Sequence, residues 1–121
     1  MQHSPGFLKL VNDAKSRIRQ IDIAGYLALH GSGQPHLLVD TREDHEFAAG
    51  HVSGAVHLSK GIIERDIENR VPDKSTTLIL YCGGGFRSAL VADNLQQMGY
   101  TAAISLDGGW RALKESGLPI E

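Results

Sequence analysis

The sequence predicts an α/β domain, with a mainly parallel sheet of about five strands and helices on both faces. Three observations predict it. Short apolar runs such as 37–40 and 78–81 recur along the chain, and runs of that length bounded by turn residues read as buried strands. Between them lie longer stretches with apolar residues at helical spacing, and alternation of the two means βαβ units and a parallel sheet. The chain has 121 residues, the size of one domain, which buries roughly two-thirds of its unfolded surface in a single core.

The elements follow in order. Phe7, Leu8, Leu10, Val11, Ala14 and Ile18 give a helical apolar pattern over 7–18. Residues 1–19 are therefore expected to form an N-terminal helical extension, and 20–121 the domain proper. Ile21-Asp22-Ile23 is a short extended piece. Asp22 is placed to cap a helix over 23–30 that ends at Gly31-Ser32-Gly33. Leu37 to Asp40 is a strand, Glu43 to Ala49 a short helix stopped by Gly50, and Ala55 to Leu58 the next strand. Residues 60–70 read as helix, broken at Val71-Pro72-Asp73. The strand at 78–81, a helix at 88–98 closed by Gly99, a strand at 102–106 and a helix at about 110–116 complete the series.

Composition narrows the function. The net charge of −2 argues against a nucleic-acid or anionic-membrane surface. No apolar run reaches transmembrane length. The first ten residues lack a basic stretch followed by an apolar one, so a cytoplasmic protein is expected. A single cysteine excludes an internal disulfide and a dithiol redox pair within one chain.

That cysteine, Cys82, opens the run Cys82-Gly83-Gly84-Gly85-Phe86-Arg87-Ser88 between a strand and a helix. Strand ends of a parallel sheet are where ligands sit. A glycine-rich loop running into a helix start aims N–H groups and the positive helix end at an anion. Arg87 adds a full charge. Such surroundings lower a cysteine pKa and make the thiolate available at neutral pH. A buried structural cysteine is the alternative, but packing alone has no use for three consecutive glycines, whereas a backbone wrapped around an anion does. The run is not followed by Lys-Ser/Thr, so it is no nucleotide P-loop.

Three segments together resemble the single-domain rhodaneses, a sulfurtransferase family. They are Asp40-Thr41-Arg42 continuing through Gly50-His51-Val52 to Gly54-Ala55, the Cys82–Ser88 loop, and Asp107-Gly108-Gly109-Trp110 with Gly117-Leu118-Pro119 after it. The resemblance covers residues from about 20 to 121. It implies that Cys82 takes a sulfane sulfur from a donor as a persulfide and hands it to a thiophilic acceptor such as a thiol or cyanide, with no cofactor. It implies that Gly83, Gly84, Gly85, Phe86, Arg87 and Ser88 cradle that sulfur, with Arg87 pairing the anionic end of the donor. It sets this chain apart from the related phosphatases and arsenate reductases, whose loops carry Cys-x5-Arg. Here four residues separate Cys82 from Arg87, and the tighter cradle suits one sulfur atom. The loop holds no lysine, and Phe86 brings an apolar ring to it. Polysulfide, a small persulfide or the persulfide of a sulfur-relay partner protein therefore stand beside thiosulfate as donors. A sulfur-carrying or regulatory module with little small-molecule turnover is the second reading.

The remaining candidates read as structural. Asp40 ends a strand beside the site and is expected to bond backbone groups beneath the loop. Arg42 and Glu46, four apart, suggest a local ion pair. His45, His51 and His57 recur at a spacing that no zinc pattern uses, so no metal site is expected. Trp110 is expected to pack in the core.

Overall fold

A computed structural model describes residues 2–121. Its elements are α1 (Pro5–Lys15), β1 (Arg19–Ile21), α2 (Ile23–Ser32), β2 (Leu37–Asp40), α3 (Asp44–Ala49), β3 (Val56–His57), α4 (Ile63–Arg70), β4 (Leu78–Tyr81), α5 (Phe86–Gln97), β5 (Ala103–Leu106) and α6 (Gly109–Lys114). The five strands form one sheet in the order β1-β5-β4-β2-β3, and every pairing is parallel. The α/β class and the sheet are those expected from the alternation of strands and helices.

Side chains alternate across the sheet, and this divides the interior in two. Leu78 and Leu80 of β4 join Val39, Ile63, Ile67, Val91 and Leu95 in one core beneath α4 and α5. Ile79 and Tyr81 point the other way and join Leu38, Tyr26, Leu106 and Leu113 beneath α2 and α6. All four residues of β4 are buried, as a central strand covered on both faces must be. Tyr26 and Leu113 anchor α2 and α6 respectively. Asp22 caps α2, accepting the Gly25 N–H at 2.8 Å, which is the role its position suggests.

The first helix starts and stops earlier than its apolar pattern suggests. Ser16 is its C-cap, and the chain is already extended at Arg19. Val11 and Ala14 are buried, while Leu10 is 57% exposed, so the inward stripe runs through Phe7, Val11 and Ala14 and leaves Leu10 outside it. The helix lies against α5. At its C-terminal end Arg17 grips Asp93 with two hydrogen bonds of 3.1 and 2.7 Å, and Gln96 donates to the Arg17 carbonyl. Among the described residues no helix is long and apolar enough to cross a membrane.

Candidate active site

Cys82 follows the last residue of β4, the central strand, at the carboxyl edge of the sheet. Its backbone is held from two sides. Thr41, just beyond β2, donates its N–H and its hydroxyl to the Tyr81 carbonyl at 2.8 and 2.9 Å. The first turn of α6 reaches the loop from the other strand: Trp110 N–H donates to the Cys82 carbonyl at 2.7 Å and Arg111 N–H to that of Gly83 at 3.2 Å. That approach requires Gly109, where a Cβ would collide with the Cys82 carbonyl.

The helix α5 begins at Phe86, two residues before the sequence pattern suggests. Phe86, Arg87 and Ser88 are therefore its first turn, where N–H groups have no partner within the helix. Gly85 is the N-cap, with φ of 102°, a conformation that favours glycine. The Gly85 N–H lies 3.2 Å from Cys82 Sγ and the Ser88 N–H 3.4 Å. The Ser88 hydroxyl is 3.6 Å from the sulfur and 2.8 Å from the hydroxyl of Ser105 on β5. Cys82 is 1% exposed. Burial pushes its thiol up, but hydrogen bonds from the Ser88 hydroxyl and from the N–H groups of Ser88, Gly85 and Gly84 outweigh that, so the thiol lies below its ordinary value. These directed donors offset the cost of burying negative charge on the sulfur, and the turn and the helix start hold them in place.

Arg87 sits across this loop. Its guanidinium pairs in a fork with Glu46 of α3, at 2.7 and 3.1 Å, and lies close enough to Gly83 that a Cβ there would be 3.2 Å from Nη2. The bond to Arg87 holds the Glu46 carboxyl down at about 2. This corrects the expected Arg42–Glu46 pair. Arg42 precedes α3 and is not on its surface, so helical i,i+4 geometry does not apply. It instead forks onto Asp40, with Nη2 to Oδ2 at 2.8 Å, and donates to the Gly50 carbonyl. Both members of that pair are buried. Asp40 also accepts the Arg42 N–H at 2.9 Å, so it braces its own turn rather than the Cys82 loop. Arg42 lies 4.6 Å from the centre of the Trp110 ring, and that ring packs against the core beneath α2 and α6.

The three histidines stand apart in role. His45 is exposed. His51 Nδ1 donates to the Phe47 carbonyl at 2.9 Å and His57 Nε2 to that of Arg42 at 2.8 Å. Their rings stack on the two sides of Phe47. Among the described residues no group of three or more His, Cys, Asp or Glu is placed to hold a metal ion.

Two cavities flank Arg87. The larger, about 570 Å³, runs past Thr41, His45 and Lys60 and does not reach the sulfur. The smaller, about 270 Å³, opens on Cys82, Gly83, Gly84 and Phe86 and is walled by His3, Phe7 and Arg111. Sequence reasoning missed His3, Phe7, Glu46, Ser105, Gly109 and Arg111 as parts of this site. Only Gly109 carried a signal, as part of a glycine pair after a strand.

The model of the rhodanese-like domain matches residues 24–116. Over 100 residues the chain is 34% identical to the thiosulfate sulfurtransferase GlpE of Pseudomonas entomophila, covering 80% of this chain and 88% of that protein. It is 31% identical to the thiosulfate sulfurtransferase PspE of Escherichia coli, over 67% of this chain and 74% of that one. Among solved structures, a Rhodopseudomonas palustris protein of unknown function, described as a possible tyrosine phosphatase, superposes with a TM-score of 0.85 at 30% identity, over 100% of this chain and 98% of that one. A rhodanese-like domain protein of Staphylococcus aureus superposes with a TM-score of 0.75 at 29% identity, over 86% and 99% of the two chains. With its parallel sheet, its cysteine loop and these likenesses, the chain belongs to the family of rhodanese-like domains.

Proposed function

We propose that this chain is a sulfurtransferase that moves a sulfane sulfur from a donor to a thiophilic acceptor as a persulfide on Cys82. The observation that carries the reading is the Cys82 sulfur, met by the Gly85 and Ser88 N–H groups and the Ser88 hydroxyl. In the first half-reaction the thiolate attacks the outer sulfur of the donor. A new S–S bond forms at Cys82, and the old bond breaks with its electron pair leaving on sulfite when thiosulfate is the donor. In the second, cyanide or a thiolate attacks the outer sulfur, and Cys82 departs as the thiolate it was. Neither step needs a cofactor or an external oxidant. The same donors serve both, because negative charge sits on sulfur in each state. Donors of this class are thiosulfate, polysulfides and persulfides. A compartment that keeps thiols reduced, such as the cytoplasm, suits a chemistry that starts from free Cys82.

The relatives named as thiosulfate sulfurtransferases support this reading over a phosphatase. So does the loop. Four residues separate Cys82 from Arg87, and no carboxylate within it could protonate an alcohol leaving group. A sulfur-carrying module, loaded by a donor but with little turnover on small molecules, is the second reading. Thiocyanate formation from thiosulfate and cyanide tests the first. Cys82→Ser is expected to fold normally and to fall to the uncatalysed rate, because a hydroxyl is not ionised near neutral pH. Thiocyanate formed by that variant at the wild-type rate contradicts the role of Cys82. Sulfur uptake by the wild type without turnover selects the carrier.

A further inference from the structure

The N-terminal helix brings residues to the Cys82 cavity that the sequence gives no reason to place there. Rings from His3, Phe7 and Phe86 form one cluster, with centroids 4.4 Å apart for His3 and Phe86, 5.3 Å for His3 and Phe7, and 6.4 Å for Phe7 and Phe86. Neither phenylalanine belongs to either core of the domain, and both line the cavity that contains the sulfur. Large rings left out of the core and gathered around a reactive group are a binding surface for an apolar group.

The charges around the cavity are distributed unevenly. Arg87 is committed to Glu46 by two short hydrogen bonds. Arg111 lines the same cavity and takes part in none of the ion pairs among the described residues. The cavity therefore presents the Cys82 loop at its floor, a free guanidinium to one side and an aromatic wall. The Lys15 ammonium lies 5.1 Å from the centre of the Phe86 ring and adds a second positive charge beside the wall, but bare thiosulfate, a small dianion, has no apolar group to place against the rings. A cavity of about 150 Å³ already admits benzene, and this one measures about 270 Å³, enough for a ring and an anionic head together.

We propose that the segment carrying His3 and Phe7 is a specificity wall, which makes the site favour sulfane donors that carry a ring-sized apolar group, held against His3, Phe7 and Phe86 with the anionic head facing Arg111, over small donors that lack one. This deepens the sulfurtransferase reading and rests on it. An organic thiosulfonate, R–SO2–S⁻, has this form. Attack by the Cys82 thiolate on its terminal sulfur makes the new S–S bond, and the old S–S bond breaks with its electron pair leaving on the sulfinate R–SO2⁻. Charge is conserved and no proton is moved.

The test compares kcat/KM for benzenethiosulfonate, methanethiosulfonate and thiosulfate with cyanide as acceptor, subtracting the rate seen with Cys82→Ser. The first two share the reacting head and differ in the ring. The wild type is expected to favour the benzene compound over the methane compound by roughly tenfold or more, the discrimination available to an apolar pocket. Phe7→Ala is expected to cut that ratio by roughly three- to tenfold, the worth of an aromatic contact. Phe7→Leu, which keeps apolar bulk on α1 but not the flat ring, is expected to fall between the two and guards against a helix that has simply detached. A ratio near one in the wild type, or one unmoved by both variants, overturns the specificity wall while thiosulfate turnover leaves the sulfurtransferase reading standing. Absence of Cys82-dependent thiocyanate from all three donors overturns both.

Discussion

Cys82 shows how a residue can be buried and still be poised to ionise. Removal from water disfavours the thiolate, and the directed N–H groups with the Ser88 hydroxyl reverse the balance. The sign of the consequence follows. The thiolate fraction rises as pH rises through the pKa, so a lowered pKa keeps the sulfur reactive at pH values where an ordinary thiol is protonated. Alkylation by iodoacetamide, followed against pH and unambiguous with one cysteine in the chain, is expected to have its midpoint below that of a free thiol. Ser88→Ala removes one donor and is expected to move the midpoint up. A wild-type midpoint at or above that of a free thiol would mean the loop does not stabilise an anion. The Cys82 loop was legible in the sequence because strand, glycines and helix start are all local. The partners of Arg42 and Arg87 were not. Asp40 is fully buried and needs a counter-charge, since leaving one member of a buried pair alone costs about 3–5 kcal/mol. Arg42 meets that need, and Glu46 is left free for Arg87, which is 41 residues distant in sequence.

At the scale of elements, the site is a junction of three. The strand β4 delivers Cys82, α5 supplies donors from its first turn, and α6 fixes the loop carbonyls from the far side. The earlier start of α5 was hidden because Phe86 and Arg87 follow three glycines and read as loop, although the Gly85 N-cap makes them part of the helix. This junction leaves little room: a Cβ on Gly85 would lie 3.3 Å from the backbone of Asp107 and of Leu106. Inserting one residue between Gly85 and Phe86 shifts the Ser88 N–H away from the sulfur. Loss of such a donor typically costs about a hundredfold or more in rate, so sulfur transfer is expected to fall by that order. Affinity for phosphate or arsenate, measured by calorimetry, is expected to rise as the wider ring of N–H groups comes to span an oxyanion. Unchanged thiosulfate turnover with no gain in oxyanion binding would show that loop length is not what selects sulfur.

Across the whole molecule, the parallel order β1-β5-β4-β2-β3 places Cys82 just past the end of the central strand, flanked at the carboxyl edge by the ends of β2 and β5. Its class was legible because the alternation of short apolar runs and helical stretches admits few arrangements. The placement of α1 was not. Its stripe of Phe7, Val11 and Ala14 announces a buried face, yet the surface it covers is α5, some 70 residues further along, and nothing local records that this docking carries His3 and Phe7 over the sulfur. The central claim, that Cys82 carries sulfur, is tested most directly by the intact mass of the protein after exposure to thiosulfate and removal of excess donor. The expected result is a single adduct of about 32 Da, one sulfur, absent from Cys82→Ser and released as thiocyanate by cyanide. No adduct with thiosulfate, polysulfide or an organic thiosulfonate, or an adduct of that mass that survives cyanide and mild reduction as a sulfinate would, contradicts it.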